Sequence, residues 1–266
     1  MKPAAVLAVA ASLILPGVAA AQSRIVSLDQ CADQYVLALA DPGDIAGLSP
    51  RADDPDSFLR EAGARQRRVR PTLEAVLAAR PDAVVRYWGG DPRLLAALER
   101  RGVRVIQIDD AQDFPGVTTG IRSVAAALGQ PGRGADLIAG MSRRLASSRD
   151  AWRGEPATYL TTAGWTSGPG TLIDAMMRAA GLTNASDGAA FGSLSIERLV
   201  LDPPRRFVLG FFDSRFADRR AVGRHPSVRR RTATRTIAAL PGSMLGCPAW
   251  FTADGTQQIA RAAPGR

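Results

Sequence analysis

Short apolar runs alternate with amphipathic segments along most of the chain. The apolar runs predict strands at 24–28, 45–48, 83–87, 103–108, 157–162, 206–211 and 243–246. The amphipathic segments predict helices at 33–40, 72–79, 91–101, 114–128, 171–180, 195–200, 215–222, 228–239 and 252–261, with loops and a short helix over 49–70. Strands and helices that alternate in this way are typical of mostly parallel sheets covered on both faces. The pattern therefore predicts an α/β fold.

One long amphipathic stretch, 135–152, separates two such series of strands and helices. Its apolar positions form a broad stripe at helical spacing: Leu137, Ile138, Met141, Leu145 and Trp152. We therefore predict two Rossmann-like lobes with mostly parallel sheets, joined by one long rigid α-helix, with a ligand cleft between them. The predicted boundaries are 22–130 for the N-terminal lobe, 131–153 for the linker helix and 154–266 for the C-terminal lobe.

A local match between the two halves supports this division. Thr72 stands two residues before Glu74, and Ser195 stands two before Glu197. In both halves a proline follows the glutamate by seven residues, and an apolar strand comes directly after it. Two related α/β lobes explain the match most simply, and the alternative is a chance similarity between two common helix–strand units.

The N-terminus has the pattern of an export signal. Lys2 precedes an apolar core at 4–15, Pro16 and Gly17 interrupt it, and Ala19 to Ala21 satisfy the small-x-small cleavage rule. We predict a signal peptide over 1–21 that is cleaved after Ala21, and a periplasmic location. The alternative is an uncleaved anchor, for which the apolar core is short.

The net charge of +9 at first suggests a nucleic-acid partner. The basic residues argue against one, because Lys2 is the only lysine and the arginines are scattered. Their densest run, Arg229 to Arg231, is short and has no interleaved aromatic residues. Clustered cations and stacking aromatics are what nucleic-acid binding requires, so we expect no nucleic-acid partner.

The search for catalytic chemistry finds little. His225 is the only histidine, so a histidine-rich metal cage cannot form, and we expect no metal site and no cofactor. A Ser-His-Asp relay would have to use His225, and no Gly-x-Ser-x-Gly turn accompanies any serine. We therefore expect that the protein is not an enzyme. An exported α/β hydrolase and a receptor for bare metal ions stay as alternatives.

Loops at the carboxyl ends of the predicted strands are the expected ligand site, because open parallel sheets bind ligands there. Three of the four tryptophans, Trp88, Trp165 and Trp250, fall in these loops. The remaining candidate ligand-binding residues in such loops are Cys31, Arg86, Tyr87, Phe212 and Cys247. Aromatic walls suit a large, flat, partly apolar ligand.

Several segments together resemble the periplasmic binding proteins for ferric siderophores and cobalamin, which serve ABC importers. The most specific are Leu73-Glu74 with Arg80-Pro81-Asp82 and the Ala180-Gly-Leu-Thr-Asn184 turn, with Arg24–Leu28 and Ser195–Glu197 in the expected order. The resemblance implies two lobes on one rigid helix. It also implies a permease partner with its ATPase, on whose arginines Glu74 and Glu197 dock. A glutamate in the first helical turn can alternatively serve the helix dipole alone.

The resemblance also bears on the ligand. Tyr87-Trp-Gly-Gly90 aligns with a family segment that borders the ligand, and Trp250 lies where the cobalamin branch has a pocket tryptophan. We expect a monomer that binds a ferric siderophore or a cobalamin-type corrinoid, with haem as the alternative. An excess of arginine around the cleft would favour anionic siderophores, whereas the aromatic wall fits cobalamin and haem equally.

Cys31 and Cys247 do not match the disulfide positions of the cobalamin receptor. Three outcomes are open: a cross-lobe disulfide, which needs Cα atoms within about 7 Å, free thiols in the cleft, or two unrelated cysteines. We rank free, cleft-facing thiols first and the disulfide second.

Overall fold

The computed structural model describes residues 23–186, 188, 190–214 and 220–265. Its first parallel sheet has the strand order β2-β1-β3-β4, with every neighbouring pair parallel. The strands are β1 (Ile25–Ser27), β2 (Ile45–Gly47), β3 (Ala83–Arg86) and β4 (Arg104–Gln107). The helices of this half are α1 (Gln30–Leu39), α2 (Arg60–Gly63), α3 (Leu73–Ala78), α4 (Pro92–Glu99) and α5 (Phe114–Ala127).

The long helix α6 (Pro131–Ser148) follows, as the apolar stripe predicts. It packs between α5 and α11 (Thr252–Arg261), the last helix of the chain. A Cβ on Gly134 would lie 2.6 Å from the Cβ of Ala125, so the glycine allows α5 and α6 to approach closely. The helix ends four residues before Trp152, whose indole is buried in the second half and donates a hydrogen bond to the Ile259 carbonyl.

The second half holds another parallel sheet, ordered β10-β9-β5-β7, and a separate antiparallel pair. The sheet strands are β5 (Pro156–Thr161), β7 (Thr183–Asn184), β9 (Phe207–Gly210) and β10 (Thr236–Leu240), and the pair is β6 (Trp165–Ser167) with β8 (Phe191–Ser193). The helices are α7 (Leu172–Ala179), α8 (Ile196–Leu201), α9 (Pro226–Thr232), α10 (Gly242–Leu245) and α11. The predicted fold class, two parallel-sheet lobes with a long helix between them, is confirmed.

Side-chain caps explain where many of these helices begin. A side-chain oxygen of the residue before the helix accepts a backbone N–H of the first turn in α1, α3, α4, α5, α7 and α8. The capping residues are Asp29, Thr72, Asp91, Asp113, Thr171 and Ser195, the residue types preferred there. Local sequence therefore fixes these boundaries.

The chain crosses back to the first lobe after α10. Cys247 is bonded to Cys31, and the Tyr35 hydroxyl donates a hydrogen bond of 2.7 Å to the Pro248 carbonyl. Phe251 stacks on Phe58 with ring centroids 4.4 Å apart. Residues 247–253, within the predicted C-terminal lobe, thus complete the core of the N-terminal lobe and tie the two lobes together a second time.

Three predicted elements are corrected. The helix predicted over 228–239 ends at Thr232, and Thr236–Leu240 forms β10, because that segment pairs with β9 in the sheet. The strand predicted at 243–246 is the helix α10. Residues 215–219 of another predicted helix lie outside the described residues, and Val222–Arg224 form a 3₁₀ turn. Within the described residues, no helix combines the length and apolar character that crossing a membrane requires.

Asp33 is a buried carboxyl on α1 whose titration contributes to the pH dependence of stability. Burial, and to a smaller extent the charge of Asp29, raises its pKa from 3.8 to about 6, although the Ser49 hydroxyl and N–H both bind it. Because the folded state binds the proton more tightly than the unfolded chain does, stability falls as the pH rises from about 4 through about 6.

Asp33→Asn keeps an acceptor and a donor for Ser49 and removes this titration. We expect the variant to match the wild type near pH 4 and to exceed its free energy of unfolding by up to about 3 kcal/mol at pH 7.5. Urea unfolding of both proteins across this pH range measures the difference. A difference that stays constant with pH would contradict the assignment.

Candidate functional site

A cavity of about 330 Å³ lies between the lobes, at the carboxyl ends of the strands. The first lobe contributes Tyr87, Asp110, Ala111 and Gln112. The second lobe contributes the aromatic residues Tyr159, Trp165, Phe191 and Phe211 and the apolar residues Leu172, Ile173 and Met176. Residues 245–248, from the crossing segment and the end of α10, also line it. Aromatic and aliphatic groups thus dominate the walls, which suits a partly apolar ligand.

The loop Tyr87–Gly90 is held by one buried carboxylate. Asp29 Oδ2 accepts the backbone N–H groups of Tyr87, Trp88 and Gly89 at 2.7, 3.1 and 2.8 Å, while Oδ1 caps α1 through the Ala32 N–H. A Cβ on Gly89 would lie 2.4 Å from the Leu28 carbonyl oxygen, so only glycine fits against β1 there. Asp29, which the sequence analysis missed, therefore fixes the position of Tyr87.

The Tyr87 hydroxyl is hydrogen-bonded to a carboxylate. It donates a hydrogen bond of 2.7 Å to Asp110 Oδ1, and the Gln107 side-chain amide donates to the Tyr87 carbonyl. Burial, together with the hydrogen bond to Asp110 and the charge of that group, raises the pKa of Tyr87. Tyr87 is thus a neutral, well-positioned phenol on the cavity wall.

The three loop tryptophans have different positions. Trp88 and Trp165 are each 53% exposed, but only Trp165 lines the cavity. Contrary to the prediction, Trp250 does not face the cleft. It is buried against the rings of Tyr35 and Phe251 in the core of the N-terminal lobe. The crossing of residues 247–253 into that core is the reason.

Two other predicted residues are also turned away. The Arg86 guanidinium donates to the Gly89 carbonyl and to Gln107 Oε1, both at 2.7 Å, and does not line the cavity. Phe212 packs against the second-lobe core, whereas its neighbour Phe211, at a left-handed φ of 61°, lines the cavity. Phe211, Phe191 and Tyr159 were missed by sequence reasoning. The pair Phe211-Phe212 was a signal that an aromatic residue lies at this strand end, but the local pattern does not show which ring turns inward.

The preference for free thiols is wrong. Cys31 and Cys247 form a disulfide with Cα atoms 5.4 Å apart, and the described residues hold no free cysteine. Both residues are buried, and Cys247 also lines the cavity. The disulfide thus joins α1 of the first lobe to the cavity wall. The described residues contain no cluster of His, Cys, Asp or Glu that could hold a metal ion.

Glu74 and Glu197 are both exposed in the first turn of their helices, α3 and α8. Each helix precedes a parallel strand and runs back antiparallel to it, so its N-terminus lies towards the cleft edge of the sheet. The pKa of Glu197 is lowered by its own backbone N–H and then by the Ser195 hydroxyl. The glutamates thus occupy equivalent places on the two lobes.

Two α/β lobes, a long helix and a cleft at the strand ends match the architecture of periplasmic binding proteins. The family model for periplasmic binding proteins matches residues 25–210, and the chain belongs to this family. Its members and structural neighbours are binding proteins, and its role is that of the substrate-binding component of an ABC importer. The family partner is a membrane permease, the family location is the periplasm, and the ligand is a small molecule.

Solved structures similar to this chain share its fold. A periplasmic haem-binding protein from Roseiflexus sp. RS-1 is 26% identical, with a TM-score of 0.69 over 91% of this chain and 100% of its own. A periplasmic haem-binding protein from Pseudomonas aeruginosa is 22% identical, with a TM-score of 0.70 over 91% and 93%. A periplasmic vitamin B12-binding protein from Vibrio cholerae is 19% identical, with a TM-score of 0.62 over 91% and 96%. No curated protein matches the chain.

Proposed function

We propose that the cleft captures a metal tetrapyrrole, with haem as the preferred ligand, and delivers it to the permease. The observation that carries this proposal is the cavity wall, in which four aromatic side chains and several aliphatic side chains surround the phenol of Tyr87. A flat macrocycle buries its faces on such rings. A tyrosine oxygen is also one of the protein ligands that haem iron accepts. Haem-binding proteins among the similar structures support this choice.

The charge of the cavity argues against a strongly anionic siderophore. In the described part of the chain, no lysine or arginine lines the cavity, and Arg86 is engaged by Gly89 and Gln107. Asp110, the one acidic residue among the described residues of the wall, would repel an anionic chelate. A corrinoid, which offers the same flat core, is the second candidate, and the vitamin B12-binding neighbour favours it. His225 caps α9 and lies outside the cavity wall, so nothing supports a hydrolase there.

Trp165→Ala tests the proposed ligand with a matched control. We expect hemin to bind the wild type, and its affinity to fall about tenfold in the variant because the stacking surface is lost. Trp88→Ala is the control, since its side chain is equally exposed at 53% and does not line the cavity. Soret absorbance titrations measure both affinities, with cyanocobalamin and ferrichrome as competitors. A wild type that binds only cobalamin or only ferrichrome would overturn the choice of haem.

We further propose that Glu74 and Glu197 dock on the permease. Their exposure, their capped helices and their equivalent places on the two lobes support this role. Paired carboxylates on both lobes match a symmetric partner surface with complementary cations. A role in the helix dipole alone explains each glutamate singly but not their pairing.

The double variant Glu74→Ala/Glu197→Ala separates docking from binding. We expect hemin uptake through the reconstituted importer to fall at least tenfold, while hemin affinity in solution stays unchanged, because the charges meet the permease and not the ligand. Glu99→Ala, an exposed glutamate at the end of α4, is the control and should leave uptake intact. Uptake that survives the double substitution would exclude this docking role.

The remaining assignments extend the family role. We propose that the receptor acts as a monomer and that the permease works with its ATPase. The predicted signal peptide, 1–21, lies outside the described residues. We propose that it directs export and is cleaved after Ala21, which the intact mass of the protein purified from the periplasm would test.

A further inference from the structure

The cavity wall carries one ionisable carboxylate and no cation among the described residues. We propose that Asp110 is a specificity-determining residue, whose charge makes the cleft prefer tetrapyrroles with a positively charged metal core. This inference rests on the proposed function and adds to it the charge state of the ligand that is selected.

The charge of Asp110 is fixed in place at the wall. Its Oδ1 accepts the Tyr87 hydroxyl at 2.7 Å, and Tyr87 is itself held at its N–H by Asp29 and at its carbonyl by Gln107. Asp110 therefore cannot turn away without releasing an anchored phenol. A bound macrocycle that contacts Tyr87 would have this carboxylate within a few ångströms of its face.

In the part of the chain that the structure describes, no basic side chain pairs with the Asp110 carboxylate. Arg86, at the end of the neighbouring strand β3, donates to Gly89 and Gln107 instead. Asp109, the adjacent acid, borders a separate groove beside β4 and not the cavity. Among the described residues that line the cavity, Asp110 therefore carries the one formal charge, and the charge of Asp29 also acts on Tyr87.

Tetrapyrroles differ in the charge of the core that would face this carboxylate. A trivalent metal in a dianionic porphyrin leaves a core of net charge +1, whereas a divalent metal leaves a neutral core. The peripheral carboxylates are the same in both and would be repelled from the wall, so they should turn towards the cleft opening. Attraction between a unit charge and a partly solvated carboxylate at contact distance corresponds to about a tenfold difference in affinity.

Gallium(III) and zinc(II) protoporphyrin IX provide a test, because they share shape and side arms and neither changes oxidation state. We expect the wild type to bind the gallium complex about tenfold more tightly, as measured by quenching of tryptophan fluorescence. Asp110→Asn keeps an acceptor for the Tyr87 hydroxyl and should lose most of this preference, with the affinity for the zinc complex unchanged. Asp109→Asn removes the adjacent charge and should keep the preference.

The possible contrary results contradict different parts of the proposal. Equal binding of the two complexes by the wild type, or an equal loss of preference in Asp109→Asn, would overturn the role of Asp110. Tyr87→Phe removes the phenolic oxygen, and a preference that disappears there but survives in Asp110→Asn would identify a metal–oxygen bond as its source. A wild type that binds neither porphyrin would overturn the proposed function and this inference with it, whereas binding without preference would overturn this inference alone.

Discussion

Replacing both Cys31 and Cys247 with alanine is expected to lower the free energy of unfolding by about 5 kcal/mol. The disulfide closes a loop across 216 residues of sequence, so it removes much conformational freedom from the unfolded chain. It also fastens the crossing segment 247–253 to α1, and the segment contacts Tyr35 of α1 and Phe58 of the loop before α2. We therefore expect this disulfide to contribute more stability than any other single interaction in the molecule, and urea unfolding curves would measure its loss.

The reductant response provides the control. When the wild type is unfolded and refolded with tris(2-carboxyethyl)phosphine, its disulfide is reduced, and its stability should fall to that of the double-alanine variant. The reductant should leave the stability of the variant unchanged. Because Cys247 lines the cavity, we also expect weaker hemin binding in the variant. Equal unfolding midpoints for the oxidised wild type and the variant would show that the cross-link contributes no stability.

Asp29→Ala is the second substitution with a large expected effect. It leaves the N–H groups of Ala32, Tyr87, Trp88 and Gly89 without their acceptor, in a region where the carboxylate itself is buried. Unpaired buried donors carry their full desolvation cost, so we expect a loss of about 3 kcal/mol or more in stability. Hemin affinity should fall as well, because Tyr87 is then no longer held at the cavity wall.

Asp91→Ala is the matched control for Asp29→Ala. Asp91 is also an aspartate cap, but it accepts only the Leu94 N–H at the start of α4. We expect a loss of about 1 kcal/mol, typical of a helix cap, with hemin affinity unchanged. If the two variants lost the same stability and both kept their affinity, Asp29 would be a cap and nothing more.

The cavity contains some of the residues that the sequence predicts and lacks others. The rule that ligands bind at the carboxyl ends of parallel strands led to Tyr87, Trp165 and Cys247, which all line the cavity. The same rule failed for Trp250 and Phe212. A strand end places a residue near the cleft, but the direction of its side chain depends on what packs beside it.

Long-range packing also determined that Cys31 bonds to Cys247 and that Thr236–Leu240 forms the strand β10. Nothing near Cys31 or Cys247 in the sequence shows that α1 and the crossing segment meet, since 216 residues separate them. Thr236–Leu240 has the apolar character of either a helix end or a strand, and pairing with β9 selects the strand. Such choices are made by partners that lie far away along the chain.

The sequence by itself determined the α/β alternation, the capped helix starts, the long helix α6 and the places of Glu74 and Glu197. These features depend on residue spacing within one or two helical turns, which is a property of the local sequence. Only the tertiary structure decided which aromatic rings form the cavity, that one disulfide joins the lobes, and that Asp29 and Asp110 hold Tyr87 between them. Those contacts join residues from different strand ends and from both lobes, so folding must bring them together before they exist.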